Sequence, residues 1–289
     1  MKPDVLVEAV TPPDFERRFG GLARLYGAAG AQRIRQAHIV VVGLGGVGSW
    51  AAEAAARSGV ARLTLVDLDH IAESNINRQV HALDNTLGMA KVQAMRERIA
   101  HINPECKIDC IEEFVDAGNW PAVLEFDPDF DWKTVAVIDA CDQVKAKTSM
   151  AAWAINTKTM FISVGAAGGK RLAHKVDIED LSLVTHDPLL AQMRNRLRKE
   201  HSAARDKKKI GVACVFSRET VLQSIAVALT ASEEAADTGQ PRYFSSDFSV
   251  ESQSDATLNC HGYGSVVTVT STFGLCAVGW VLVKIAESA

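Results

Sequence analysis

The sequence is poor in several features that would have settled its class at once. Its six cysteines stand at positions 106, 110, 141, 214, 260 and 276, and none forms a Cys-x-x-Cys pair; Cys106 and Cys110 are one residue too far apart. That excludes a disulfide framework and a paired-cysteine metal staple, so no structural zinc and a reducing, cytoplasmic setting are expected. The opening MKPDVLVEAV carries Asp4 and Glu8 and does not read as a signal peptide. There is no internal repeat. Net charge is only −4, so any nucleic-acid contact must come from a local patch. No paired-aromatic strand of an RNA-reading sheet is visible. One long uncharged run exists, SVVTVTSTFGLCAVGWVLV at 265–283. It is long enough for a bilayer. Its Ser, Thr and Gly content, with Lys284 and Glu287 close behind, reads instead as a helix buried against a sheet or a partner subunit, and membrane contact is disfavoured.

What is present is a βα alternation. HIVVVG (38–43) and RLTLVDLD (62–69) are apolar, β-branched strands around an Ala-rich helix at 46–59. A helix over 88–104, strands over 107–115 and 134–142, a helix over 144–156 and a strand over 160–165 follow. This predicts an α/β fold: a doubly wound, mostly parallel Rossmann-like sheet with helices on both faces and an antiparallel C-terminal extension. Residues 1–14 are read as a flexible N-terminus and 15–289 as one domain. A further helix is predicted over 186–201, with Asp187 as N-cap, Pro188 in its first turn, and Leu190, Met193 and Leu197 on one face. It opens a basic segment (186–211); from 194 to 209 eight Lys or Arg face two acids. Residues 231–259 are acidic and rich in Ser and Ala, and read as a mobile loop.

The stretch VVGLGGVGSW sets Gly43, Gly45 and Gly48 in G-x-G-x-x-G spacing, with Gly46 between them. Between a strand and a helix, such glycines let backbone approach phosphate oxygens. Asp67 lies 19 residues beyond Gly48, where a carboxylate accepts from ribose hydroxyls. The loop alone does not choose between NAD, FAD and ATP. The residues after it do. Asn75, Arg78 and Lys91 can neutralise a triphosphate and its leaving pyrophosphate. Asp142, just past the fourth strand, can hold Mg²⁺ against the phosphates. A hydride-transfer enzyme would leave Arg78, Lys91 and Asp142 without a role.

GLGGVGSW, LVDLDHIAESNINRQ, LGMAKV and DACDQ, in that order, make the chain resemble the ubiquitin-activating-enzyme superfamily over about residues 15–165. The resemblance implies an ATP-binding adenylation domain. In it Asp67 binds ribose, Asn75, Arg78 and Lys91 contact phosphates, and Asp142 coordinates Mg²⁺. It also implies a homodimer in which an N-terminal Arg, here Arg24 with Arg18 as second choice, reaches the neighbour's phosphates. Sulfur-carrier activators of the superfamily usually carry two Cys-x-x-Cys pairs, which this chain lacks. RRFGGLARLYG, SNINRQVHAL, INPEC, GAAGGK, KKKIGVACVFS and CHGYGSVVTVTSTFG extend the likeness to the tRNA threonylcarbamoyladenosine dehydratases. These use ATP to cyclise a modified adenosine in tRNA. The implied reaction is carboxylate adenylation followed by ring closure, with release of AMP and pyrophosphate.

On that reading Arg194, Arg198, Lys207, Lys208 and Lys209 form a tRNA-backbone patch. Cys260, beside His261, is the candidate for a covalent acyl-thioester. Cys141 and Cys214 are expected to be packing residues. Three rivals stand beside this reading: a dehydrogenase, an adenylating activator of a ubiquitin-like sulfur-carrier protein, and a non-catalytic scaffold for a cysteine-desulfurase or sulfur-acceptor system.

Overall fold

A computed structural model describes residues 13–126, 130–205, 208–221 and 263–288. The loop expected at 231–259 and most of the expected flexible N-terminus lie outside these residues. Seven strands form one sheet: β1 (His38–Val42), β2 (Arg62–Val66), β3 (Lys107–Ile111), β4 (Val135–Asp139), β5 (Met160–Val164), β6 (Val176–Asp180) and β7 (Ala213–Ser217). Their order is β3-β2-β1-β4-β5-β7-β6. All pairings are parallel except β6 with β7.

The apolar run of β1 explains why the sheet is covered twice. Side chains alternate across a strand, so Ile39 and Val41 enter one core cluster while Val40 and Val42 enter the other. All four are at most 2% exposed. A strand buried on both faces has no polar alternation to show. Helices α2 (Gly21–Gln36), α3 (Gly48–Arg57) and α4 (Lys91–Ile102) contribute to the first cluster. Helices α5 (Val144–Thr157) and α6 (Pro188–Glu200) contribute to the second. A short α1 (Phe15–Phe19) precedes α2.

The uncharged run forms α7 (Val267–Glu287), long and apolar enough to cross a membrane. It packs on α3, α2 and β5. Val269, Phe273, Ala277 and Val281 are fully buried, while Leu275 stays 49% exposed on the outer side. A Cβ at Gly274 would stand 2.4 Å from the Val47 carbonyl oxygen. Only glycine lets α7 lie this close to the start of α3.

The elements match the predicted ones with trimmed ends. β2 stops at Val66 and β3 at Ile111, because the chain then leaves the ladder to build the cleft. α6 is capped as expected: the Asp187 carboxylate accepts from Leu190 N at 3.0 Å, with Pro188 in the first turn. Its Leu190, Met193 and Leu197 are fully buried. The antiparallel extension is the β6–β7 pair; the sequence reading did not resolve it into strands, nor did it place α1 and α2.

Two histidines are buried neutral. His38 has its Nε2 2.8 Å from Thr64 Oγ1, and burial, with Arg62 nearby, lowers its pKa from 6.5 to about 4. His81 is 1% exposed, and its ring nitrogens have no partner among the described residues; burial, then Lys91 and Arg98, lowers it to about 4 as well. Between pH 6.5 and 4 the unfolded chain binds protons that the native chain refuses, so stability falls as pH falls. Each histidine contributes a slope of up to ~1.4 kcal/mol per pH unit in that window. Urea midpoints at pH 7, 6 and 5 should therefore drop, and His81→Gln should drop less steeply. Equal slopes would refute the assignment for His81.

Candidate nucleotide cleft

The ends of β1, β2 and β4 lie side by side: Val42 registers with Val66 on one flank and with Asp139 on the other. Here a cavity of about 360 Å³ opens, lined by the glycine loop, Asp67 to His70, Asn75, Arg78, Gln79, Lys91, Glu113 to Val115, Ala140 to Gln143, the loop after β5, Ser265 and Thr270. This is the carboxyl-end crevice where ligands of open α/β sheets bind.

The glycines have distinct tasks. Gly43 has φ +86°, and a Cβ on it would meet Cys141 N at 2.9 Å. At Gly48 a Cβ would sit 1.7 Å from the Gly43 carbonyl oxygen. A Cβ on Gly46 would run into the stem of Arg78, 3.0 Å from its Cγ. Gly45 alone faces open space. The N-cap of α3 is Val47, which offers no side-chain oxygen, so first-turn donors remain for a ligand anion.

Asp67 takes Leu44 N on Oδ2 at 2.5 Å and Asp69 N on Oδ1 at 2.9 Å. Burial raises its pKa; Lys91 and the two amides act against that. Lys91 Nζ stands 3.7 Å from Asp67 Oδ1 and 2.6 Å from Asp69 Oδ2. Lys91 thus bridges the predicted ribose acid and a second carboxylate, Asp69, that sequence reasoning had passed over. The only signal for it was LVDLD itself, two acids with strand spacing. Asn75 Oδ1 takes Ala72 N at 3.1 Å, shaping the turn. Arg78 Nη1 donates to Ser74 O and Asn77 Oδ1, while Trp50 Nε1 holds the Arg78 carbonyl. Asp142 lines the cavity and makes no ion pair or hydrogen bond among the described residues. Cys141 is a protonated thiol: burial first, then Asp139, pushes its pKa well above the usual value, and Sγ donates to Asp139 Oδ1 at 3.1 Å. Cys214 is core.

Other predicted residues do not converge here. Arg24 is exposed on the α2 arm, outside the cleft. Arg18 donates to the Ile102 carbonyl at 2.7 Å, capping α4 away from the glycine loop. Cys260 with His261, and Lys207, lie outside the described residues. The arginines of the expected basic patch also bond to their own surroundings. Arg194 Nη1 donates to the carbonyls of Leu181 and Val184, and Arg198 Nε to that of Ala204, so both guanidiniums brace local backbone. The 13 residues of α6 run about 20 Å. They start beside the cleft, where Asp187 takes Ala166 N at 2.9 Å, and end near the opposite edge of the sheet. Lys208 and Lys209 are exposed there. We therefore expect Arg194→Ala to lower the melting temperature, and Lys208→Ala/Lys209→Ala, at exposed positions, to leave it unchanged.

The fold and cleft define a nucleotide-binding protein of the doubly wound class, with a ribose-type carboxylate, Arg78, Lys91 and Asp142 around a glycine loop. The chain belongs to the ThiF family, whose model matches residues 19–288. It is 39% identical to tRNA threonylcarbamoyladenosine dehydratase of Haemophilus influenzae over 274 residues, 94% of each chain. The crystal structure of Escherichia coli tRNA N6-threonylcarbamoyladenosine dehydratase in complex with ATP superposes with TM-score 0.75 at 36% identity, covering 93% of this chain and 94% of that one. Molybdopterin-synthase adenylyltransferase of Escherichia coli is 32% identical, over 48% of this chain and 52% of its own.

Proposed function

We propose that this protein is an ATP-dependent tRNA threonylcarbamoyladenosine dehydratase working through an acyl-adenylate. The observation that carries the reading is the extent of the likeness. Similarity to the dehydratases runs through nearly all of both chains, whereas similarity to a sulfur-carrier adenylyltransferase stops at about half. The cleft supplies the chemistry. Gly45 and the open first turn of α3 face the phosphates, Asp67 the ribose, and Arg78 and Lys91 the charge that builds on the departing pyrophosphate. The threonylcarbamoyl carboxylate attacks the α-phosphorus, the bond to pyrophosphate breaks, and an acyl-adenylate forms. A neighbouring group of the same side chain attacks the acyl carbon, closing a ring. AMP leaves with the carboxylate oxygen, so the nucleoside loses one water. High effective molarity favours this intramolecular attack.

An unpaired carboxylate facing a phosphate cleft fits Mg²⁺, which takes one or two protein carboxylates plus substrate phosphates. Asp142 would hold it, and bound there it supplies charge neutralisation at the phosphates. A homodimer in which Arg24 completes the partner's cleft is part of the proposal. Its support is the exposed α2 arm, where Leu25 is 73% exposed next to Arg24. We also place the reaction in the cytoplasm, in keeping with the five free cysteines among the described residues.

The test is mass spectrometry of tRNA nucleosides after incubation with the protein, ATP and Mg²⁺. The expected result is loss of one water from threonylcarbamoyladenosine, with one AMP released per turnover. Nucleosides left unchanged, with no pyrophosphate exchange, would overturn the reading.

A further inference from the structure

Lys147 is fully buried, and no step of the reaction above uses it. It sits in the first turns of α5, beneath the floor of the cleft. Nζ donates to Asp139 Oδ2 at 2.9 Å, and both side chains are 0% exposed. Asp139 Oδ2 also takes the Ser163 hydroxyl at 2.6 Å. Burial works against the ammonium, but its neighbours, Asp139 foremost, raise its pKa on balance.

A buried ion pair is an inefficient way to stabilise a core, since an apolar pair of equal volume often does as well. The bonds that an apolar pair could not make run upward to the cleft. Lys147 Nζ donates to the Cys141 carbonyl at 2.9 Å. Asp139 Oδ1 takes the Cys141 amide at 3.3 Å. The pair therefore holds both backbone polar groups of Cys141. On the other side, the Lys147 amide donates to the Gln143 carbonyl at 2.9 Å. The Asp142 carboxylate, without a partner among the described residues, lies between these two anchors. The last ladder bond of this strand is Ala140 N to Val42 O, so the turn has no sheet partner of its own. It also abuts the glycine loop, because Gly43 has room for no more than hydrogen beside Cys141 N.

We propose that Lys147, through the Cys141 carbonyl and with Asp139 as its counter-ion, is the positioning residue that fixes the Cys141–Asp142 turn and aims Asp142 at the phosphates. The proposal rests on the adenylation reading.

The test pairs two variants. Asp139→Asn/Lys147→Met removes the charge pair together, so no charge is left buried, and deletes the donor to Cys141. Ser163→Ala weakens the same buried cluster but leaves that donor in place. The double variant should form AMP with kcat lowered about 10- to 100-fold and KM for ATP within about threefold. Ser163→Ala should keep kcat within about twofold, even where its melting temperature falls as far. By hydrogen exchange, amides of 140–143 should be protected in the nucleotide-free wild type and lose protection in the double variant. A double variant with kcat equal to that of Ser163→Ala would overturn the proposal. So would a wild-type turn exchanging as fast as the exposed 73–77 segment, a result that needs no variant to fold. Absence of AMP formation by the wild type would sink the adenylation reading instead, and the exchange comparison would still decide what Lys147 holds.

Discussion

Gly48→Ala is expected to abolish nucleotide binding by breaking the loop, and Gly45→Ala to abolish it with the loop intact. The two substitutions add the same methyl group three residues apart. At Gly48 the methyl would lie 1.7 Å from the Gly43 carbonyl oxygen, with the Ala140 side chain 3.3 Å away. Both obstacles are ends of parallel strands, so neither can swing aside as a surface side chain would. α3 would have to move off β1, and its Ala51, Ala52 and Ala55, all fully buried, would lose their packing. Overpacking of this kind costs about 3 kcal/mol or more. At Gly45 the methyl meets nothing within 4 Å, and the backbone there is not left-handed. Its space is the ligand's space. The melting temperature of Gly45→Ala should stay within a few degrees of wild type while affinity for a fluorescent ATP analogue falls about 100-fold, or ~2.7 kcal/mol. Gly48→Ala should show a large drop in melting temperature as well. Equal stability for both would mean that Gly48 serves the phosphates rather than the packing. Unimpaired binding in Gly45→Ala would place the nucleotide elsewhere.

This pair also shows how far the chain could be read as letters. Spacing announced a glycine loop but gave Gly43, Gly45, Gly46 and Gly48 one shared reason, whereas the folded chain gives them four. The sequence pattern located β1 to β5, of which β1, β2, β4 and β5 are mostly buried apolar runs while β3 is half-exposed, and it missed β7 although four of its five residues are buried. It failed for β6, whose residues are all half-buried and include Asp177, Glu179 and Asp180. Asp67 was legible from its distance to the loop. Asp69 was not, because its use depends on where Lys91, 22 residues later, brings its ammonium. The local bonds of the α6 arginines were hidden for a related reason. Charge is visible in sequence, but the carbonyls at Leu181, Val184 and Ala204 that occupy Arg194 and Arg198 come from tertiary packing. Asp139 and Lys147 likewise read as a strand end and a helix start. Nothing in the spelling tells an ion pair beneath a site from two solvated charges.

Lys91→Met should eliminate AMP formation and make nucleotide affinity depend on pH. The lysine side chain is 7% exposed and stands over two carboxylates, of which Asp67 is 10% exposed and Asp69 is 73% exposed. Methionine preserves the stem and its packing on α4 but removes the charge. Two effects follow from one change. On the proposed reading the cation facing the departing pyrophosphate is gone, and losses of about 10²- to 10³-fold in kcat follow removal of one such transition-state partner. Asp67 also loses the charge that opposes its burial. Its pKa is already raised from 3.8 by desolvation, with Lys91 the largest influence in the other direction, so in the variant it must rise further. A ribose hydroxyl donates to the ionised carboxylate, so affinity should weaken as pH falls through the new pKa, at a higher pH than in the wild type. Stability should move the opposite way. A carboxyl whose native pKa exceeds its unfolded value is costly above that pKa, and the cost vanishes as pH falls towards 3.8. The variant should therefore be about 2–4 kcal/mol less stable than wild type at pH 7 and regain part of the difference on acidification. Asp67→Asn/Lys91→Met removes the uncompensated charge. It should recover the neutral-pH stability and lose the pH dependence, but it should not recover AMP formation. Recovery of turnover in that double variant would show that Lys91 serves only to neutralise Asp67, and that the phosphates are met by Arg78 without it.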